Sequence, residues 1–406
     1  MSRPSVALVG VSGYGRRHLL DLLRLHSEGR VELVGIADPS IPSDVEAELE
    51  RFGARPQRAS SLGDLHGLCS PQTVVIATPP HTHFPLAVLA LNGGASVYVE
   101  KPPVPLPEQL DELERLAVGR RVEFGFQQTR SVIMAVDAAR RERPIGQLRR
   151  VVAYGSLQRP DSYYDRAPWA GRRTLGDTPV FDGSLFNPLA HTVHAALALA
   201  QREEPAWTIS ELEVELGAAR EIEADDTAAL RVRSASGPIV VAVGTTAGDD
   251  VIEGSLLLVG TAGVMRVRLR DLRIEVEADG TSSVLAGAFA PAALDSAVCA
   301  PQAPADQFTD ISAVRAFVRL VAAAVEAAPS TERLAATRRV DGESGPRTEL
   351  PGLTSAVARA AADGLLLSEA GVRIGRTHRR HSLENWDGRL TSRHPGQGRP
   401  KAEVSR

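Results

Sequence analysis

Over its first third the chain alternates short apolar runs with amphipathic stretches of helical spacing, and that alternation leaves few folds open. VALVG (Val6–Gly10), VELVGIAD (Val31–Asp38), TVVIAT (Thr73–Thr78), ASVYVE (Ala95–Glu100) and RVEFGF (Arg121–Phe126) show little of the in–out alternation of a half-exposed strand. Strands buried on both faces read this way. Between them lie YGRRHLLDLLRLHSE, the stretch Ser43–Phe52, THFPLAVLALN and LPEQLDELERLA, all with leucine or alanine at helical intervals. Strand, helix, strand with right-handed crossovers builds a parallel, doubly wound sheet covered on both faces.

After Phe126 the pattern changes. A helix is predicted over Thr129–Arg143, then the strand LRRVVAYGSL, a loop bearing Tyr, Pro and Trp, and a helix near Asn187–Ala200. SELEVEL, AALRVRSA, PIVVAVGTT, GSLLLVGT, VMRVRLRD and LRIEVEA follow with no helix between them, which predicts a mainly antiparallel sheet. Helices over Ser312–Ala327 and Leu353–Ser368 close this part. The expected organisation is α/β, with an N-terminal doubly wound Rossmann domain over 1–126 and a C-terminal α+β domain over 127–372. The tail 373–406 lacks apolar periodicity and is expected to be disordered. No internal repeat is evident.

Composition narrows the function classes. The formal net charge of −4 over 406 residues offers no basic field for nucleic acid or anionic membrane. No apolar run reaches the ~18 residues of a membrane span, and MSRPSVALVG enters a strand too early for a signal peptide. Cys69 and Cys299 are too far apart in sequence to read as a disulfide framework. The expected setting is cytoplasmic, and no metal-ligand spacing is present.

GVSGYG (Gly10, Ser12, Gly13, Tyr14 and Gly15) stands where a strand turns into a helix. It departs from G-x-G-x-x-G in having Ser12 at the middle glycine, a side chain small enough for a pyrophosphate to approach. The helix N-terminus would direct free N–H groups at the phosphates. Asp38 ends the second strand at about the ~20-residue spacing of a ribose-binding acid. Its carboxylate would repel a 2′-phosphate, so NAD is favoured over NADP. Glycines at such turns are also simply structural, and Asp38 is also a natural turn residue before Pro39.

Among 46 lysines and arginines only Lys101 and Lys401 are lysines. Arginine is a permanently charged planar fork, whereas burial moves the pKa of lysine's compact ammonium. A lone lysine in YVEKPPVP, at the end of an apolar run, therefore reads as a residue whose titration matters.

GVSGYGRRHL, the acid of IADPS, TPPHTHF, EKP and GSLFNPLAHTVHAAL (Gly183–Leu197) together resemble the glucose–fructose oxidoreductase/inositol dehydrogenase (Gfo/Idh/MocA) family. The resemblance implies a nucleotide-binding domain followed by an α/β domain whose open antiparallel sheet serves oligomerisation. It also implies hydride transfer between NAD(P) and a hydroxyl or carbonyl carbon of a sugar, polyol or related compound. Thr78, Pro79 and His83 match the family's nicotinamide-side segment. Glu100 and Lys101 match its EKP, whose lysine contacts substrate and cofactor. The family's aspartate, histidine and further acid on one helix correspond to Asn187, His191 and His194. The residues themselves read Asn187–Pro188 as a helix start with Asn as N-cap. His191 would then lie just past the first turn, kept neutral by the helix dipole and able to accept an alcohol proton. His194 reads equally as packing or as support.

SYYDRAPWAGRR (Ser162–Arg173) adds Tyr163, Arg166 and Trp169, candidates for stacking on a sugar and binding its hydroxyls, or for pinning a loop. The expected activity is NAD-dependent hydride transfer to or from a hydroxyl or carbonyl carbon of a sugar, polyol or sugar derivative, with Lys101 and His191 as the proton-handling pair. Two rivals remain at this point: an NAD-using lyase or hydrolase with transient oxidation, and a non-catalytic NAD or ligand sensor, to which Asn187 gives a foothold.

Overall fold

The structure is a computed structural model that describes residues 3–374, 380–383, 386 and 388–390. Six parallel strands form the first sheet: β1 Ser5–Val9, β2 Glu32–Ala37, β3 Gln57–Ala59, β4 Thr73–Ile76, β5 Ser96–Val99 and β6 Val122–Phe124. Their order is β3-β2-β1-β4-β5-β6, and α1 Tyr14–Ser27, α2 Ser43–Arg51, α3 Leu62–His66, α4 His83–Asn92 and α5 Pro107–Leu116 connect them. The apolar runs need both faces covered, and β1 shows how. Val6 and Leu8 enter the core with Leu19, Leu22, Leu23 and Leu25 of α1, while Ala7 and Val9 enter the opposite core with Ala87 and Ala90 of α4. Each leucine so buried contributes about 1.5–3 kcal/mol. The order reverses between β1 and β4, the place where doubly wound sheets form a crevice at the C-terminal ends of their strands.

Beyond α6 Gln127–Glu142 comes the second sheet. Its strands include β7 Leu148–Gln158 and, after the small hairpin β8 Thr174–Leu175 and β9 Thr178–Pro179, β10 Glu211–Ala218, β11 Thr227–Arg233 and β12 Ile239–Thr245. Then follow β13 Ala247–Gly260, β14 Gly263–Arg268, β15 Arg273–Ala278, β16 Thr281–Ala286 and β17 Glu332–Arg333, in the order β16-β15-β14-β13-β7-β12-β11-β10-β17. β7 pairs β12 in parallel and β10 pairs β17 in parallel; the remaining neighbours of the series are antiparallel. Helices α7 Ala190–Glu203 and α9 Ile311–Ala327 share the core of one face, with Val151 and Ala153 of β7. Val152 faces the other way, into the cluster with Leu353, Val357 and Ala360 of α10 Leu353–Asp363.

The chain does not part cleanly at residue 126. The helix α8 Ala293–Cys299 buries Ala293, Leu294, Ala297 and Val298 in the core of the first sheet, and Asp295 pairs with Arg24 at 3.0 Å. Phe124 N–H donates to the Thr309 carbonyl at 2.9 Å. A seven-residue helix whose partner surface lies some 270 positions back leaves no local periodicity to read. For a similar reason β3 and α3 escape the sequence: both are short, and β3 is an edge strand with polar residues.

Part of the tail expected to be disordered is docked. The short strand His381–Ser382 pairs with β10, Arg380 with Glu211, and Leu383 is buried. Trp386 packs on the core with the Arg319 guanidinium 5.5 Å from its ring centroid. What these residues bind is a backbone edge, which a scan for side-chain periodicity does not see. Apart from residues 373, 374 and 388–390, the remainder of the expected tail lies outside the described residues. Trp386→Ala should lower stability by about 1–2 kcal/mol in urea unfolding; an unchanged midpoint would mean that this segment contributes nothing.

Candidate active site

Glu100 follows β5 directly, so the sheet delivers it to the crevice. Its carboxylate is almost fully buried, meets His18 Nε2 of α1 at 2.7 Å, and accepts from the Lys101 amide at 2.9 Å. A buried carboxylate is tolerable only with such partners. His83 works similarly: Nδ1 lies 2.9 Å from the Pro102 carbonyl and Nε2 2.8 Å from the Thr78 carbonyl. With both ring nitrogens facing carbonyl oxygens and 1% exposure, His83 ties the TPP segment to the EKP loop. The peptide bond between Lys101 and Pro102 is cis.

Lys101 turns across the crevice to the second sheet's side. Nζ donates to the Asn187 side-chain carbonyl at 2.9 Å and reaches the Asn187 backbone carbonyl at 3.3 Å. Burial pushes its ammonium below the ordinary lysine value; Glu100 and Asp182 oppose that shift, and Arg159 and Arg166 add to it. The Asn187 amide in turn donates to Asp182 at 2.7 Å. Asp182 also accepts from the Gly171 amide at 2.8 Å and pairs with Arg166 at 3.4 Å. Phe181 before it holds φ at 53°, a left-handed conformation costing about 1–3 kcal/mol in a non-glycine residue, which the surrounding bonds must outweigh.

The expected capping role of Asn187 fails. α7 begins at Ala190, its N-cap is Leu189, and no side chain caps it. Asn187 lies in the turn that precedes the helix, held by Asp225, which accepts from the Ser184 amide at 2.8 Å and hydroxyl at 2.7 Å. Burial pushes the Asp225 carboxyl up to about 6. The later helix start places His191 inside the first turn. Its Nδ1 is buried without a hydrogen-bond partner, and burial, followed by Lys101 and His194, pushes its pKa down to about 3. Burial, rather than the helix dipole, is thus the main cause that disfavours its imidazolium. His194, pushed to about 3 by burial, stacks on Phe126 at 4.0 Å and meets Thr129 Oγ1 at 2.7 Å. It is core behind His191.

The glycine loop suits a dinucleotide. Gly10 has φ of 86°, and a Cβ there would lie 2.5 Å from the Ala77 carbonyl; one on Gly15 would lie 2.2 Å from the Gly10 carbonyl. Around Gly13 there is open space within 4 Å, and α1 begins with no side-chain cap and no acid in its first turn. Uncapped N–H groups with room before them are what a pyrophosphate requires. Asp38 accepts from Val11 N–H at 2.9 Å and Ser40 N–H at 2.9 Å, so it shapes the loop while keeping lone pairs for ribose hydroxyls. Ser12 and Tyr14 are exposed beside it, with the Tyr14 hydroxyl accepting from Gln127 at 2.9 Å. Thr78 bonds Thr82 at 2.6 Å and Pro79 is exposed at the adjacent strand end.

The aromatic loop is drawn to the same place. Arg166 lies 3.7 Å from the Tyr163 ring centroid and 4.5 Å from that of Trp169, and its pairing with Asp182 joins the loop to Asn187 and Lys101. Sequence reasoning missed Asp182, His18 and Arg159. His18 stood within the quoted GVSGYGRRHL, one helical turn past the glycines, and was the findable one. Among the described residues no group of three or more His, Cys, Asp or Glu side chains could hold a metal ion, and no helix is long and apolar enough to cross a membrane.

Residues 5–127 match the sequence profile of the Gfo/Idh/MocA oxidoreductase family, NAD-binding Rossmann fold. A curated relative, 1-carboxy-3-chloro-3,4-dihydroxycyclohexa-1,5-diene dehydrogenase of Comamonas testosteroni, is 36% identical over 97 residues, 23% of this chain and 23% of its own length. Among solved structures, the WlbA dehydrogenase from Bordetella pertussis in complex with NADH and UDP-GlcNAcA is similar with a TM-score of 0.62 and 21% identity, over 90% of this chain and 98% of that one. UDP-N-acetylglucosamine 3-dehydrogenase from Acidithiobacillus ferrooxidans gives a TM-score of 0.60 at 17% identity, over 79% and 96%. At such identities the likeness establishes the fold over both parts of the chain.

Two buried neutral histidines set a pH dependence. Below the ordinary histidine value of 6.5 the unfolded chain takes up protons that the folded site refuses until about 3, so stability falls as pH falls through that window. His194→Gln removes one such group. The loss of urea midpoint between pH 7 and pH 5 should be smaller in this variant than in the parent; equal losses would show His194 to be ordinary in the folded state.

Proposed function

With residues 5–127 a domain of the Gfo/Idh/MocA oxidoreductase family, we propose that the chain is an NAD-dependent dehydrogenase of a sugar, polyol or sugar derivative. One observation carries the reading: the ammonium of Lys101 is held on Asn187 in the electrostatic range of a neutral His191. Its neighbour Glu100 is clipped to the helix that starts at the glycine loop. Of the solved neighbours named above, one is in complex with UDP-GlcNAcA and the other is a UDP-N-acetylglucosamine 3-dehydrogenase, in keeping with this class.

Gly10, Ser12, Gly13 and Gly15 with the α1 N-terminus would hold the pyrophosphate, and Asp38 the ribose, with Thr78 and Pro79 at the nicotinamide end. The chemistry that NAD would supply there is acceptance of a hydride from the carbinol carbon. That carbon becomes a carbonyl only if the hydroxyl proton also leaves. His191 supplies a ring nitrogen with a free lone pair to receive it. Lys101 donates to the same oxygen and stabilises its developing negative charge. Asn187 fixes the ammonium's direction, and Asp182 fixes Asn187. A proton taken by His191 is released easily, since burial disfavours the imidazolium. Thr129 and Phe126 set the His194 ring behind it.

Self-association through the long sheet and a cytoplasmic setting belong to the same reading. The sheet presents exposed Val251 and Val284 toward its β16 end, and Cys69 and Cys299 are free thiols.

The test is NADH formation with NAD and a panel of sugars, polyols and sugar nucleotides. Net NADH separates the dehydrogenase from a lyase, which turns over without it, and from a sensor, which binds without turnover. Lys101→Arg should lower the single-turnover rate by at least ~10² and His191→Ala by roughly 10²–10⁴, with NAD affinity nearly unchanged. Parent-like rates in either variant would remove that residue from proton handling.

A further inference from the structure

Hydride transfer accounts for Lys101, His191 and Asp182, and leaves a second cluster of charge beside them unexplained. Arg159 follows β7 immediately, with its guanidinium carbon 5.2 Å from the Tyr163 ring centroid; that of Arg166 lies 3.7 Å from the same centroid. Two like charges thus share one ring. Arg166 has Asp182, but that carboxylate is already engaged by Asn187 and the Gly171 amide. Among the described residues no carboxylate pairs with Arg159, and its Nε is buried with no hydrogen-bond partner. The nearest acid in sequence, Asp161, is held by Arg220 at 3.0 Å. Glu100 is turned to His18. Lys101 therefore feels two guanidiniums, and of the two acids that oppose them Glu100 is taken up by His18 and Asp182 is shared with Asn187 and Gly171.

Unpaired donors and crowded like charges are costly unless a ligand completes them. A guanidinium fork fits the two oxygens of a carboxylate or phosphate, which neither a neutral hydroxyl nor water reproduces. We infer that Arg159 and Arg166 form an anion subsite over Tyr163, so that the substrate is an acidic sugar derivative carrying a carboxylate or phosphate beside the carbon to be oxidised. This rests on the proposed dehydrogenase reading for the placement of that carbon; the anion contact itself does not.

The full chain loaded with NADH is titrated calorimetrically with D-glucuronate, D-glucose 6-phosphate and D-glucose. At least one anion should bind about 10–100-fold more tightly than glucose, the worth of one charge-assisted pair. The two anionic arms tell carboxylate from phosphate. Arg159→Gln should erase that preference while leaving NADH affinity unchanged. Glucose binding as tightly as both anions, no measurable binding of either anion, or an unchanged preference in Arg159→Gln overturns the subsite. An anion preference without NADH formation from any substrate leaves the subsite standing and defeats the dehydrogenase reading instead.

Discussion

The site depends on one buried ammonium that needs partners on both sides of the crevice. An unpaired charge removed from water costs several kcal/mol, so Lys101 can sit where it does only because Asn187 accepts from it. That bond ties the loop after β5 to the turn before α7. Behind Lys101, Glu100 carries the connection to His18 and thus to the helix at the glycine loop. Beyond Asn187, Asp182 carries it to Arg166 and the aromatic loop. The helix after the glycine loop, Lys101 and the aromatic loop are therefore joined in one hydrogen-bonded series. The returning segment around α8 and the bond between Phe124 and Thr309 further fasten the first sheet to the rest.

Asn187 is better explained by Asp182 than by helix capping. Its amide faces a cation through its oxygen and an anion through its nitrogen, which a carboxylate could not do. An aspartate at 187 would set two carboxylates about hydrogen-bond distance apart, and one would have to take up a proton. The negative charge opposite Lys101 has moved one residue back along the network, to Asp182. The reading of Asn187 as a lost catalytic acid, which favoured a sensor, loses its physical basis.

How far the sequence could be read follows from the range of each interaction. The strands of the first sheet other than β3, and the helices α1, α2, α4 and α5, declare themselves because burial on one or two faces leaves a local apolar pattern. The Lys101 anomaly was legible because lysine and arginine differ chemically and the chain has so few lysines. Asp182 was not legible: it stands in VFDGS, between no periodic elements, and acquires meaning only from a backbone turn at Phe181 and an amide five residues on. Arg159 was hidden among many arginines, and its lack of an acid is a fact of three-dimensional placement. α8, and the strand His381–Ser382, pair with surfaces contributed by distant parts of the chain.

The central claim is that Lys101 is an ammonium weakened by burial and sustained by Glu100 and, across Asn187, by Asp182. Because the chain has only two lysines, selective ¹³Cε-lysine labelling gives an NMR titration that reads Lys101 directly, without any substrate. Lys101 should titrate below the ordinary lysine value of 10.5, and Asp182→Asn, which removes an opposing negative charge, should lower it further. A Lys101 signal that titrates as a free lysine does, or that is indifferent to Asp182→Asn, would contradict the account.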